Sequence, residues 1–363
     1  MCEATCAWPA GEAGDGMEQA GTAEPARGRE PLRIGVLGAA RISRAAIVEP
    51  AHAGGHRLVV VGARDRSRAE EFAARHGVER VAGSYAEVVA DPEVEVVYNP
   101  LANGLHGPWN LAALAAGKHV LTEKPSASNR EEAAEVRDAA AKAGTAFMEA
   151  FHYLFHPVNR RLHELLEGGE LGEPRHVEAV FQVPGPPDGD PRWSLALAGG
   201  ALMDLGCYSL HAVRRLGAWA GGEPRLVEAR GGERAGAPGV DEWLDADLEY
   251  PGGATATARC HMAYDGHVIE CRVVGTRGEA TVVSFALPHH DNRIVIRTPA
   301  GERVERHGDR TSYHYQLEAF AAHLRDGAPL EVDADDAVAT MALIDDCYRA
   351  AGFEPRPRYA PPA

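Results

Sequence analysis

Between residues 32 and 148 short apolar runs alternate with amphipathic helical stretches, and this alternation constrains the fold more than any other feature of the chain. Residues 32–37 (LRIGVL) form an apolar run ended by Gly38, and residues 42–48 carry helical spacing. A second apolar run, 58–62, precedes a helix over 66–76, where Ser67 and Glu70 have the spacing of a capping box. Ser84 and Glu87 open a short helix, 94–98 is a strand, 107–116 a helix and 119–122 a strand. A helix over 131–143, with Ser128 and Glu131 again spaced as a capping box, leads to a strand at 146–148. Strands that alternate with helices imply right-handed crossovers and a parallel sheet covered on both faces. The expectation is an α/β fold that begins with a doubly wound domain over residues 31–151.

After Pro157 the rhythm breaks. A helix at 158–167 and a strand at 175–183 precede a glycine-rich turn and helix over 199–218. Six strand candidates follow at 225–230, 242–249, 254–262, 267–275, 278–283 and 293–297, joined by turns such as Pro251-Gly252-Gly253 and Thr276-Arg277-Gly278. Helices at 313–325 and 334–351 close the chain. The pattern predicts a C-terminal α/β domain, 152–363, with a large open, mostly antiparallel sheet. Residues 1–30 are rich in Ala, Gly, Glu and Pro without apolar period and are read as a flexible tail.

Composition narrows the function classes. A chain of 363 residues with 45% apolar side chains has material for more than one core, and a net charge of −16 argues against a nucleic-acid or anionic-membrane binder. No apolar stretch approaches the length that crosses a bilayer, and the N-terminal residues lack the pattern of a secretory signal, so a soluble cytoplasmic protein is expected. Cys2, Cys6, Cys207, Cys260, Cys271 and Cys347 show no paired spacing, which predicts reduced thiols and no cysteine metal site.

The first strand runs into Gly38-Ala39-Ala40-Arg41-Ile42-Ser43, where a dinucleotide fingerprint would stand. A tight turn, free backbone N–H groups and a helix N-terminus are what a pyrophosphate requires. Gly38 supplies the turn, while Ala40 and Ser43 stand where further glycines are usual. At the end of the second strand an NAD enzyme carries an acid for the ribose 2′-hydroxyl. Here Ala63 takes that position, followed by Arg64, Asp65, Arg66, Ser67 and Arg68, and Arg64 can meet a 2′-phosphate. NADP is favoured over NAD, the alternative being that Asp65 is the acid displaced by two residues.

The segment 116–125 (AGKHVLTEKP) places Glu123 and Lys124 at the carboxyl edge of the parallel sheet, where ligands of such sheets sit. Only Lys118, Lys124 and Lys142 appear in a chain whose positive charge is otherwise arginine. With GVLGAARIS, FMEAFHYLFHPVNRRL, AGGALMDLGCYSLHAVR and YQLEAFAAHLRDG, this string resembles the Gfo/Idh/MocA oxidoreductases across residues 32–352. The resemblance implies an N-terminal Rossmann domain and a C-terminal domain whose sheet serves substrate binding and subunit pairing, hence a homodimer or homotetramer. It implies that Lys124 is the catalytic, substrate-binding lysine and that Glu123 lies beside the nicotinamide ribose. Asp204 and Tyr208 fall on the two polar positions of the family's Asp-x-x-x-His motif, with Tyr in place of His, as in its glucose–fructose oxidoreductase, dihydrodiol dehydrogenase and sugar ketoreductase branches.

A phenol is a poor base at neutral pH unless a neighbouring cation stabilises its phenolate, so Tyr208 beside Lys124 could exchange the proton of a hydroxyl as hydride moves to or from a nicotinamide. Asp204, four residues earlier, could orient substrate or either partner. Pro100, Leu101, Asn103 and His106, in the loop after the fourth strand, join the Gly38–Ile42 turn as cofactor candidates. His152 and Arg192 are substrate candidates. His152 and His156 are spaced i,i+4 without a carboxylate partner set, and His289-His290-Asp291 reads as a turn, so no metal is expected. The sequence thus reads as an oxidoreductase of carbohydrate metabolism that moves hydride between NADP(H) and a sugar, sugar derivative or cyclic diol. Two alternatives are a sugar oxidoreductase that shuttles hydride on tightly bound NADP and a non-catalytic NADP-binding regulator.

Overall fold

The computed structural model describes residues 30–360. The tail expected over residues 1–30 therefore lies, except for Glu30, outside the described residues, as do Cys2 and Cys6. The chain opens with β1 (Arg33–Leu37), a wide π-type turn (Arg44–Val48) running into α1 (Glu49–Ala53), then β2 (Arg57–Gly62) and α2 (Arg66–His76). β3 (Arg80–Ala82), α3 (Tyr85–Ala90), β4 (Val96–Asn99), α4 (His106–Ala115), β5 (His119–Thr122), α5 (Arg130–Ala143) and β6 (Phe147–Glu149) complete the first sheet. Its order is β3-β2-β1-β4-β5-β6 and every pair is parallel. The strand order reverses between β1 and β4, which opens a crevice at their carboxyl ends. One face buries Leu37, Val60, Val97 and Val120 against α3, α4 and α5. The other, with Val36, Val61 and Leu121, is continuous with the core of the second half.

The second half starts with α6 (Pro157–Glu167), β7 (Pro174–Gln182), π-type turns at Leu202–Gly206, α7 (Cys207–Arg215) and α8 (Gly217–Ala220). β8 (Arg225–Glu233), β9 (Asp241–Glu249), β10 (Thr255–His261), β11 (Val268–Gly275), β12 (Glu279–Val282), β13 (Arg293–Thr298) and β14 (Gly301–Arg306) follow, then α9 (Ser312–Asp326) and α10 (Ala334–Ala350). The eight strands are ordered β14-β13-β12-β11-β7-β10-β9-β8, antiparallel except for the β7–β10 pair. Helices α6, α7 and α10 cover one face, and α10 also lies against α5. Leu162, Leu165 and Leu166 of α6 point into that core at helical spacing, each worth about 1.5–3 kcal/mol when fully buried. On the opposite face the alternation along β9 and β11 leaves every second side chain half-exposed. Among the described residues no helix is long and apolar enough to cross a membrane.

Several local expectations are corrected. Helix α2 is capped by Asp65, whose carboxylate accepts from the N–H of Ser67 and Arg68, so Ser67 stands inside the helix and forms no box with Glu70. Glu70 pairs instead with Arg66. Helix α5 is capped one residue later than the spacing suggested: Asn129 accepts from the N–H of Glu132, and Glu132 reaches back to the N–H of Ser128. Ser84 and Glu87 do open a short helix: the Ser84 hydroxyl accepts from the N–H of Glu87, and the Glu87 carboxylate accepts from the N–H of Gly83. The first helix does not end at Val48. The wide turn carries it through Pro50, whose missing N–H falls where π-type bonding gives way to α-helical bonding. β3 and β14 are edge strands that the apolar pattern did not announce. The four described cysteines, Cys207, Cys260, Cys271 and Cys347, are free and buried.

Candidate active site

β1 runs into Gly38, which adopts φ +89° and donates its N–H to Gly62 O at 2.6 Å. A Cβ there would sit in the left-handed region and 3.0 Å from Leu101 Cδ2, so the turn requires glycine. The first hydrogen bonds of the helix that follows are donated by Ser43 to Ala40 O and by Ala46 to Ile42 O. The turn Ala39–Ile42 therefore carries the uncommitted N–H groups of a helix N-terminus. Beneath it the Ser43 hydroxyl is buried without a partner. Ala40, Arg41 and Ile42 form one wall of a cavity of about 460 Å³.

The β2–α2 turn is where the sequence reading sought the choice between NAD and NADP. The carboxylate of Asp65 is spent on capping α2, and the Ser67 hydroxyl, followed by the two backbone N–H groups, lowers its pKa. Arg68 reaches back to Ala39 O at 3.2 Å, which ties this turn to the first one. Arg64 is exposed and makes no ion pair among the described residues. Arg64, Asp65, Ser67 and Arg68 stand beside the cavity rather than on its wall. With arginines offered and the nearby acid occupied, the residues present fit a dinucleotide bearing a 2′-phosphate.

Beyond β4 the loop is held by Asn99, whose amide donates to His106 O and to Asn110 Oδ1. Pro100, Leu101, Asn103 and His106 line the cavity. The Asn103 amide donates to Ala198 O at 3.3 Å and so crosses to the loop before α7. The His106 ring lies between Pro125 O and Leu101 O, each 2.7 Å away, and burial pushes its pKa down to about 4.

At the carboxyl end of β5 Glu123 is nearly buried and accepts from the Tyr98 hydroxyl at 2.8 Å; burial raises its pKa. Lys124 extends across the cavity toward α7. Its ammonium donates to Asp204 O at 2.6 Å, lies 3.7 Å from Asp204 Oδ1 and sits 4.9 Å over the Tyr208 ring. Burial works against this charge, but the Asp204 carboxylate, with Cys207 and Glu123, outweighs it and raises the lysine's pKa. Lys124 is therefore a fixed cation. It faces the phenol ring and not the hydroxyl, which differs from the geometry expected of a phenolate-stabilising ammonium. Arg192, also on the cavity wall, is 3.8 Å from Asp204 Oδ2 and 3.6 Å from Asp190 Oδ1.

The wide turns at 202–206 bring both Asp204 and Tyr208 to the cavity wall. Gly206 permits this, because a Cβ on it would lie 2.7 Å from Cys260 Sγ of β10. The Tyr208 ring is boxed edge-on by Phe151 and Tyr153 and tilted against Phe181. Burial holds its hydroxyl pKa well above the usual phenol value. His152 is fully buried behind Tyr208 and does not line the cavity: its Nε2 is 3.0 Å from the Tyr208 hydroxyl and its Nδ1 is 2.7 Å from Ser312 Oγ. His156 caps α6, and 289–291 lie in the turn between β12 and β13.

Several residues at the site had no signal that the sequence reading used. Phe181 and Leu287 line the cavity from the second sheet and the turn after β12, and Tyr313 does so from the first turn of α9. Tyr98 stands beneath Glu123. Only the aromatic cluster Tyr313-His314-Tyr315 at a helix start could have drawn notice.

Residues 32–151 match the model of an oxidoreductase family with an NAD-binding Rossmann fold, and residues 159–281 match the GFO/IDH/MocA C-terminal domain. A D-xylose 1-dehydrogenase (NADP(+)) of Haloferax volcanii is 35% identical over 325 residues, spanning 88% of this chain and 97% of its own. The trans-1,2-dihydrobenzene-1,2-diol dehydrogenase of Mus musculus is 35% identical over 284 residues, 76% of this chain and 79% of its own. Among solved structures, the 3-ketoreductase KijD10 of Actinomadura kijaniata in complex with NADP and TDP-benzene superposes with TM-score 0.79 at 28% identity, over 88% of this chain and 98% of that one. KijD10 has also been solved with a lysine or a tyrosine replaced.

Proposed function

The chain belongs to the GFO/IDH/MocA family of oxidoreductases, and on that premise we propose that it moves hydride between NADP(H) and the hydroxyl or keto carbon of a sugar, sugar derivative or cyclic diol, with Tyr208 as acid and base and Lys124 binding the substrate oxygen. The observation that carries this reading is that Lys124, Asp204 and Tyr208 share one cavity with the Ala40–Ile42 turn. The lysine and tyrosine replaced in the KijD10 variants also stand as far apart along that chain as Lys124 and Tyr208 do along this one.

When bound, NADP(H) supplies or accepts the hydride at its nicotinamide. The Gly38–Ile42 turn and the helix behind it would hold the pyrophosphate, and Arg41, Arg64 and Arg68 would meet the 2′-phosphate. Pro100, Leu101, Asn103, His106 and Glu123 bound the path from that turn to the carboxyl end of β5. Lys124, a cation at every working pH, draws the substrate oxygen to a point within reach of Tyr208. Asp204 keeps the ammonium aimed and, with Arg192, offers hydrogen bonds to neighbouring hydroxyls. Tyr208 then takes the hydroxyl proton as the carbonyl forms, or returns it in the reducing direction. Residues 31–151 hold the nucleotide in this reading, and 152–363 supply the substrate wall.

NADP⁺ reduction followed by absorbance across aldoses, inositols and cyclic diols, with NADPH oxidation by keto-sugars as the reverse assay, tests the reading. Turnover that is lost in Lys124→Met, while NADPH still binds the variant, is the expected result. Turnover undiminished in Lys124→Met overturns the assignment.

A further inference from the structure

The geometry behind Tyr208 raises a question of proton balance. A buried phenol that accepts the substrate's proton must pass its own proton on, since burial disfavours a standing phenolate. The nearest cation does not solve this, because the Lys124 ammonium lies over the ring face and donates to Asp204 O. One titratable side chain is hydrogen-bonded to the Tyr208 hydroxyl: His152, through Nε2. Its other nitrogen is held by Ser312 Oγ, and its ring packs 4.0 Å from Tyr313, so orientation is fixed on both sides.

We propose that His152 is the proton relay of the Tyr208 site, taking the phenol proton on Nε2 as Tyr208 receives the proton of the substrate hydroxyl, with Ser312 holding the Nδ1–H. The proposal rests on the functional reading above and goes one group deeper. In the oxidising direction the substrate C–H bond breaks with its electron pair leaving as hydride to the bound NADP⁺, and the carbonyl π bond forms from the O–H pair. The substrate proton moves to Tyr208 Oη, and the Tyr208 proton moves to His152 Nε2, leaving a neutral phenol and an imidazolium. In the reducing direction each transfer reverses.

The groups that face His152 keep its ring neutral at rest, the form that can take the Tyr208 proton in the oxidising direction. Burial, followed by His289 from the turn after β12, Lys124 from the edge of β5 and His156 from its own segment, holds its pKa well below 6.5. An imidazolium in those surroundings gives up its proton readily. Tyr208 from α7 and Ser312 and Tyr313 from α9 complete its contacts and are uncharged at neutral pH. As His152 acts through Tyr208, it is a positioning and relay residue and not one that touches substrate.

Two readouts test it. His152→Gln keeps a side chain able to bond both Tyr208 and Ser312 but cannot take a proton. Its kcat is expected to fall about 100-fold with KM and melting temperature little changed, in the range that general acid–base groups contribute. A shared solvent proton should then be lost from the rate-limiting step, so the solvent deuterium isotope effect on kcat changes with it. A kcat for His152→Gln within about twofold of wild type, when Tyr208→Phe is inactive, overturns the relay and leaves the functional reading standing. Turnover that survives in Tyr208→Phe overturns both. The second readout needs neither substrate nor nucleotide: ¹⁵N NMR of histidine-labelled protein, assigned by His152→Gln, should show the proton on Nδ1 and a lone pair on Nε2. A proton on Nε2 overturns the relay, because Tyr208 would then be the acceptor.

Discussion

Arg356 offers the sharpest test of how the C-terminal segment supports the site. It follows α10, is 1% exposed, and its guanidinium pairs with the wholly buried carboxylate of Asp241, donates to Gly239 O at 2.7 Å and lies 4.0 Å over the Tyr348 ring. Asp241 in turn accepts from the Tyr348 hydroxyl and from the N–H of Leu202, the first residue of the segment that carries Asp204. Arg356→Met keeps most of the packing volume and strands the carboxylate. Breaking a buried pair in this way costs about 3–5 kcal/mol. The structure sets an independent ceiling, since Asp241 escapes by binding a proton. From its ordinary value of 3.8, protonation at pH 7 costs about 1.4 kcal/mol for each of about three pH units, hence about 4 kcal/mol. The two estimates agree. At pH 5 the same ceiling is about 1.6 kcal/mol. The sign follows from linkage: the stranded acid has a raised folded pKa, so the variant loses stability as pH rises above the unfolded value. Urea midpoints at pH 5 and pH 7 measure this, with Arg358→Met as the control in the same segment. Arg358 pairs with Glu135 in the open, at 42% and 53% exposure, and its loss should cost under about 1 kcal/mol. Equal destabilisation by the two variants at pH 7, or a loss from Arg356→Met that does not shrink at pH 5, would refute the reasoning.

Cofactor choice is tested by the double change Arg64→Ala with Arg68→Ala, which should raise the KM for NADP⁺ at least tenfold and that for NAD⁺ far less, since each lost charge-assisted bond is worth about 1.5–3 kcal/mol. Initial rates at varied nucleotide check it, and a parallel rise for both would place the 2′-phosphate elsewhere. Glu149 carries a second pH signature. It is fully buried, one carboxyl oxygen has no partner, and burial raises its pKa to about 8. Folding thus binds a proton between the ordinary carboxyl value and pH 8, and stability falls as pH rises through that window. Glu149→Gln should flatten that fall, read as melting temperature from pH 5 to pH 8; an unchanged slope would show that the carboxyl is ionised in the fold.

Apart from the edge strand β3, the order of elements over residues 32–148 was legible because both faces of a parallel sheet are buried, which writes apolar runs into every central strand. Gly38 and the Glu123-Lys124 pair were legible for a related reason: a tight turn and a strand end leave local marks. What the sequence left open was long-range. Asp65 and Asn129 became caps by one- or two-residue shifts in where each helix starts, which the spacing of Ser67 or Ser128 could not decide. His152 stood in the sequence as a substrate candidate, and only the packing of α9 against its segment turned it away from the cavity, between Tyr208 and Ser312. Tyr98, Phe181 and Tyr313 reach the site from β4, β7 and α9, elements far apart along the chain. The sequence by itself determined the two-sheet architecture, the glycine turn after β1 and the identity of the polar residues. The tertiary structure alone decided which of them meet, because hydrophobic periodicity records which face of an element is buried but carries no information about which partner buries it.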